Sequence, residues 1–257
     1  WYELGRGALS MASVPFLTGA SLLRERVDDW ESYPFNLPIL HALPLKITAP
    51  MCIFVGENGT GKSTLLQALA ELSGLPALGG GKAQLSHEED EPDGLYNAMR
   101  PQFRKRPKAS WYARGDRLQH FIHTLKEQGG HHAYGRDADA IFADRDLETL
   151  SHGEALLATL NNRARAGLLF LDEPEAALSP SRQLSLCALL ATSLAEGATQ
   201  VIMATHSPLL MSFPGAQLLS FDETGIHETT LEQTSHYQVM RGVLECPERY
   251  WRHLIET

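Results

Sequence analysis

An α/β fold on a mainly parallel sheet, flanked by helices and extended by an antiparallel addition, is what this sequence predicts. Three observations lead there. The runs MCIFV (51–55), GLLFLD (167–172) and TQVIMA (199–204) are largely apolar, as in strands covered on both faces. Segments with helical spacing separate them, which favours parallel strands joined by crossovers. Each run then passes into residues that serve a ligand better than a core, namely GENGTGKS, EP and THS. Open parallel sheets place their binding groups at such strand ends.

The chain has 257 residues, 43% of them hydrophobic, enough for one well-buried core. It reads as a single elaborated domain over 11–257, with a core lobe at about 11–72 and 166–257 and a helical, irregular lobe at about 73–165. Residues 1–10, WYELGRGALS, precede Met11, lack the pattern of a secretory signal and read as an added remnant. The net charge of −9 argues against a surface given over to nucleic acid or anionic membrane, although it leaves room for a local basic patch. Cys52, Cys187 and Cys246 lie far apart without metal-ligand spacing, which suits buried thiols in a reducing compartment. With no apolar stretch near 18 residues, the expectation is a soluble, cytoplasmic protein without a transmembrane segment.

Taken in order, 45–55 ends in a buried strand, and 62–72 carries Leu65, Leu66, Leu69 and Leu72 at helical spacing. A Gly-rich loop, GLPALGGGKAQ, and an acidic stretch, HEEDEPDG, follow. MRPQFRKRPK (99–108) holds two prolines and makes a poor helix. Its Arg100, Arg104, Lys105, Arg106 and Lys108 read first as solvated charge and second as a phosphate-backbone contact. SWYARG (110–115) is strand-like. SHGEALLATLNNRARAG predicts a helix from 151 stopping at Gly167. GLLFLDEP predicts a strand, 180–196 a helix opened by Pro180, and TQVIMATHS a strand. QLLSFD and IHETTL flank ETG as a hairpin. The tail 236–256 predicts one or two amphipathic helices, with Pro247 at a start or break.

GENGTGKST fits the pattern G-x-x-x-x-G-K-[ST] at Gly56, Gly61, Lys62 and Ser63. Between a strand and a helix, glycines let backbone amides curl around phosphate oxygens, and the helix N-terminus adds partial positive charge. Lys62 supplies a full charge at the β- and γ-phosphates, and the Ser63 hydroxyl is a Mg²⁺ ligand. Gly56, Glu57, Asn58, Gly59, Thr60, Gly61, Lys62, Ser63 and Thr64 form the candidate nucleotide loop. Asp172 and Glu173 end a buried strand, where Asp172 can hold Mg²⁺ through water and Glu173 can polarise the attacking water; acids also simply end strands. His206 ends the next strand, as a ligand or as a hydrogen-bonded structural residue. Ser151 with Glu154 three residues on has the form of a capping box.

In this combination and order, the residues resemble the ATP-binding-cassette (ABC) class of P-loop ATPases. GENGTGKST resembles the Walker A motif, LSHGE (150–154) the signature motif, LLFLDEP Walker B, AALSP (176–180) the D-loop and ATHSP the switch-histidine region. The likeness runs from about 45 to 222 and is closest to compact, stand-alone ATPases similar to the SMC and RecF-like group. It implies a helical signature subdomain, ATP and Mg²⁺ as ligands, and Ser63 and Asp172 at the metal. It implies a head-to-tail homodimer in which Ser151, Gly153 and Glu154 of one chain face the nucleotide of the other. Glu173 would be the general base and His206 the γ-phosphate contact. Hydrolysis of ATP to ADP and phosphate would drive a switch on a partner protein or nucleic acid.

His152 departs from the family's signature glycine and puts a side chain near the γ-phosphate approach. No clear Q-loop glutamine stands out; Gln102 and Asp116 are the candidates. Arg24, Arg26 and Tyr33 are candidate adenine contacts, or else a solvated charged face with one packed tyrosine. An alternative is the nucleotide-binding subunit of an ABC transporter with a separate membrane chain. A third reading, a nucleotide-gated scaffold, is disfavoured by the presence of both Glu173 and His206.

Overall fold

The computed structural model describes residues 15–75, 80–81, 94–115, 152–163 and 167–255. The expected remnant at 1–10, Ser151 and Asp116 lie outside them, as does most of the expected second lobe. Among the described residues, ten strands form two sheets. In chain order they are β1 (Leu17–Leu22), β2 (Leu45–Lys46), β3 (Met51–Gly56), β4 (Gly80–Gly81), β5 (Met99–Phe103), β6 (Ser110–Arg114), β7 (Gly167–Asp172), β8 (Thr199–Ala204), β9 (Gln217–Asp222) and β10 (Gly225–Thr229). The helices are α1 (Lys62–Leu72), α2 (His152–Arg163), α3 (Pro180–Ala195), α4 (Pro208–Met211), α5 (Ser235–Glu245) and α6 (Pro247–Ile255).

The larger sheet runs β10-β9-β3-β8-β7-β6-β4. Its five central strands are parallel, and β10 and β4 close the edges antiparallel. The smaller sheet, β2-β1-β5, is antiparallel. This is an α/β fold on a mainly parallel sheet with an antiparallel addition, as the sequence predicts. Alternate residues of each central strand serve two cores. Cys52, Phe54, Phe170 and Ile202 pack with Leu65, Leu66 and Leu69 of α1. Ile53, Val55, Leu169, Leu171 and Met203 pack with Leu186, Leu190 and Leu194 of α3 and Leu156 and Leu160 of α2. A strand covered by helices on both faces has no use for polar alternation, which is why these runs are apolar throughout.

The helix α2 is described over His152–Arg163, and residues 164–166, just before its expected stop at Gly167, lie outside the described residues. Gly167 opens β7 at φ 133°, against the Ala109 carbonyl, where a Cβ has no room. The 99–108 stretch, without a strand assignment from sequence, contains β5 at the edge of the small sheet. Residues 99–103 and 110–114, inside the expected second lobe, thus belong to the two sheets.

Register brings the site together. Phe54 of β3 pairs with Ala204 of β8, Asp172 of β7 pairs with the same Ala204, and Arg114 of β6 pairs with Asp172. The loops after β3, β6, β7 and β8 therefore leave the sheet at one level.

Candidate functional site at the carboxyl edge of the sheet

The glycines of the loop after β3 answer two steric demands. Gly56 lies against the Phe221 carbonyl of neighbouring β9. Gly61, at φ 92°, caps α1 in the left-handed region, and a Cβ there would stand 2.8 Å from Cδ1 of Ile39. A left-handed residue immediately before the helix turns the chain sharply, so that loop amides and first-turn amides face the same space.

Lys62 is 3% exposed. Its ammonium donates to the carbonyls of Gly56 (2.8 Å) and Glu57 (2.7 Å), folded back along its own loop. Burial lowers its pKa, and Glu173, Asp172, Glu57 and Glu175 oppose that shift. Thr60 Oγ1 donates to the Glu57 carbonyl at 2.9 Å, bracing the loop. Asn58 and Gly59 lie between, Gly59 at φ 80°. Thr64 Oγ1 shares a 2.8 Å hydrogen bond with the Tyr33 hydroxyl.

Ser63 donates to Oδ1 of Asp172 at 2.8 Å, joining α1 to the end of β7. Tyr112 of β6 donates to Oδ2 at 3.4 Å. A hydroxyl and a carboxylate converging beside a phosphate loop suit Mg²⁺, a hard cation that takes one or two protein oxygens and leaves its other positions to phosphate and water. Among the described residues, no group of three His, Cys, Asp or Glu forms a metal cluster of its own.

Glu173 is the one described non-glycine residue at positive φ, 46°. This left-handed turn takes the chain out of β7 immediately after Asp172 and separates two adjacent carboxylates. Oε1 of Glu173 lies 3.5 Å from Nε2 of His206. The His206 amide donates to Oε1 of Glu175, whose Oε2 is buried without a hydrogen-bond partner among the described residues. Burial raises the Glu175 pKa. Burial also holds the His206 imidazole below its usual range; Lys62 adds to this, and Glu173 pulls the other way.

At the expected signature segment, Gly153 packs against the Ala177 carbonyl and Arg182, and Glu154 pairs with Arg182 at 3.1 Å. The described structure thus ties the start of α2 to the segment after β7. Gln102 lies on β5 in the small sheet, where its carbonyl accepts from Thr18. The strand that ends beside Asp172 is β6, and Gly115 after it touches the Glu173 carbonyl. Of the candidate adenine contacts, Arg24 stacks over Trp30 and Arg26 donates to the Asn97 carbonyl, whereas Tyr33 reaches the glycine loop 56–64 through Thr64.

Sequence reasoning missed the contribution of α5. Ser235 donates to Oε1 of Glu57 at 3.0 Å, and Nε2 of His236 lies 2.9 Å from Nδ1 of His206. The only advance signal is a serine and a histidine opening an amphipathic helix.

Over residues 154–212 the sequence matches the family model described as "AAA domain, putative AbiEii toxin, Type IV TA system". No curated protein matches it. Several solved structures are similar. One is cbiO1 from Clostridium perfringens, part of the ABC transporter complex cbiONQ (16% identity over 95% of this chain and 100% of that one, TM-score 0.49). Another is MJ1267, an ATP-binding cassette of an ABC transporter, in its ADP conformation (14% identity, 83% and 91% covered, TM-score 0.44). A third is an SmcHead bound to the C-winged helix domain of ScpA (13% identity, 74% and 93% covered, TM-score 0.46).

Proposed function

We propose that this chain is an ABC-type ATPase that binds Mg-ATP at the loop 56–64, pairs head-to-tail with a second copy around two nucleotides, and hydrolyses ATP to switch a partner. The observation that carries the reading is the convergence, at one sheet edge, of the buried Lys62, the Ser63–Asp172 pair and the Glu173–His206 pair. Few tasks other than handling a nucleoside triphosphate call for a buried ammonium, a metal-type oxygen pair and a carboxylate–imidazole pair around a glycine loop.

In this reading Lys62 exchanges its two carbonyl partners for β- and γ-phosphate oxygens. The loop amides hold the phosphates in place. Ser63 and Asp172 would hold Mg²⁺, which supplies further positive charge at the phosphates. Glu173 takes a proton from the attacking water, and His206 orients the carboxylate and meets the γ-phosphate side. Ser151 and the Gly153 amide serve the partner chain's γ-phosphate. Positioning and charge stabilisation do most of the work in phosphoryl transfer. Among the described residues no helix is long and apolar enough to cross a membrane, and a partner protein or nucleic acid receives the switch.

The test compares Lys62→Ala with Glu173→Gln. Calorimetry is expected to show ATP binding lost in the first and kept in the second. Turnover in Glu173→Gln is expected to fall at least ~100-fold, the scale of a lost general base. The same variant is expected to accumulate an ATP-bound dimer by light scattering. ATP binding by Lys62→Ala equal to wild type would defeat the proposal.

A further inference from the structure

We infer that His236 is a positioning residue for His206, fixing which ring nitrogen carries its proton; the inference rests on the ATPase reading above. The two rings meet at 2.9 Å, Nδ1 of His206 against Nε2 of His236, with centroids 5.0 Å apart. A neutral imidazole has one N–H and one lone pair, and the bond made by one nitrogen decides the state of the other. His206 is half-buried, and its partial burial together with the Lys62 ammonium favours the neutral form.

Its second nitrogen, Nε2, is buried, has no hydrogen-bond partner among the described residues and lies 3.5 Å from the Glu173 carboxylate. A lone pair facing a carboxylate oxygen is repulsive, whereas an N–H facing it is attractive. At 3.5 Å, beyond a good hydrogen bond, the carboxylate by itself only biases the ring toward the tautomer with the proton on Nε2; the 2.9 Å contact at Nδ1 fixes it. Nδ1 must then accept, so His236 must donate from its own Nε2. That leaves Nδ1 of His236 as a lone pair 3.5 Å from the Ser235 hydroxyl, which itself donates to Glu57. Every proton in the row has one consistent place. Ser235 gives to Glu57, His236 gives to His206, and His206 presents its N–H to Glu173.

The groups facing His206 come from four elements: Lys62 from α1, Glu57 from the loop before it, Glu173 and Glu175 from the segment after β7, and His236 from α5. Among the described residues only His236 touches the nitrogen that points away from Glu173. Without it, His206 is free to put its proton on the wrong side. A wrong tautomer disables a catalytic histidine while leaving the fold intact.

The test has two readouts. With ¹⁵N-histidine-labelled protein and no nucleotide, long-range correlation spectra of His206 are expected to show Nε2 protonated and Nδ1 accepting. His236→Phe is expected to abolish that pattern. His236→Gln, whose amide can donate from the position of Nε2, is expected to keep it. In steady-state kinetics, His236→Phe is expected to lower kcat at least ~10-fold with ATP affinity retained, as for an imidazole held in the wrong tautomer. His236→Gln is expected to restore most of it, and His236→Phe to add nothing to His206→Ala. A wild-type His206 protonated at Nδ1, or an unchanged tautomer in His236→Phe, overturns the inference. If His206→Ala itself turns over normally, the ATPase role of His206 fails instead, and the tautomer spectra alone decide the part played by His236.

Discussion

Glu175 is a carboxylate whose chemistry departs from that of its exposed relatives. One oxygen accepts the His206 amide and the other is buried without a partner among the described residues. Burial raises its pKa above the ordinary 4.5. A folded-state pKa above the unfolded one means that the native protein holds the proton longer. The stabilising contribution is complete below pH 4.5 and is lost as pH rises through the folded pKa. Glu175→Gln keeps an oxygen for the His206 amide and removes the titration. Its Tm is therefore expected to gain on wild type as pH rises from 4.5 toward 7; parallel melting curves across that range would refute the assignment. At this scale, Lys62, Ser63, Asp172 and Glu173 were legible because they stand at the ends of apolar runs in a contiguous pattern. Ser235 and His236 were not, because their partners Glu57 and His206 lie 178 and 30 positions away. Only the register of the folded sheet and the path of the tail bring them together.

Elements were legible where one physical demand dominated. The helix α1 begins at Lys62 and ends at Leu72, as its leucine spacing predicts. The hairpin of β9 and β10 and the start of α6 at Pro247 also follow the sequence. The strand β5 was hidden, since it contains Pro101, Arg100 and Gln102. An edge strand tolerates a proline that an interior one would reject, and it carries no apolar run to announce itself. The junction between β3 and α1 supports a prediction of its own. Gly61→Ala must hold a left-handed conformation and push against Cδ1 of Ile39. The cost is expected to be about 2 kcal/mol, the sum of left-handed strain and local crowding. Urea denaturation measures it, and in an Ile39→Ala background the same glycine substitution is expected to cost less by the crowding part alone, read as the coupling of a double-mutant cycle. A Gly61→Ala cost of zero in that background would mean that the backbone angle costs nothing.

Among the described residues the candidate site gathers at one edge of the larger sheet, and the proposed second copy would complete each proposed nucleotide site. Ser151→Arg is expected to block that completion, and Lys62→Ala to remove binding in its own chain. Each alone should be inactive. Random pairing in an equal mixture gives about half mixed dimers, each with one intact composite site, so turnover should return to about a quarter of wild type. Continued silence on mixing, with dimers verified by light scattering, would mean that both sites must fire together or that no composite site exists. The helix α5 adds a mechanical consequence. It is eleven residues long, about 16 Å. Hydrogen bonds at its first turn pin it to Glu57 and His206, and Leu244 near its other end is 73% exposed. A stiff rod carries a sideways load on its tip back to its first turn. A load on the exposed end of α5, where α6 packs beside it at Gly242, would thereby bear on the contact between the two imidazoles.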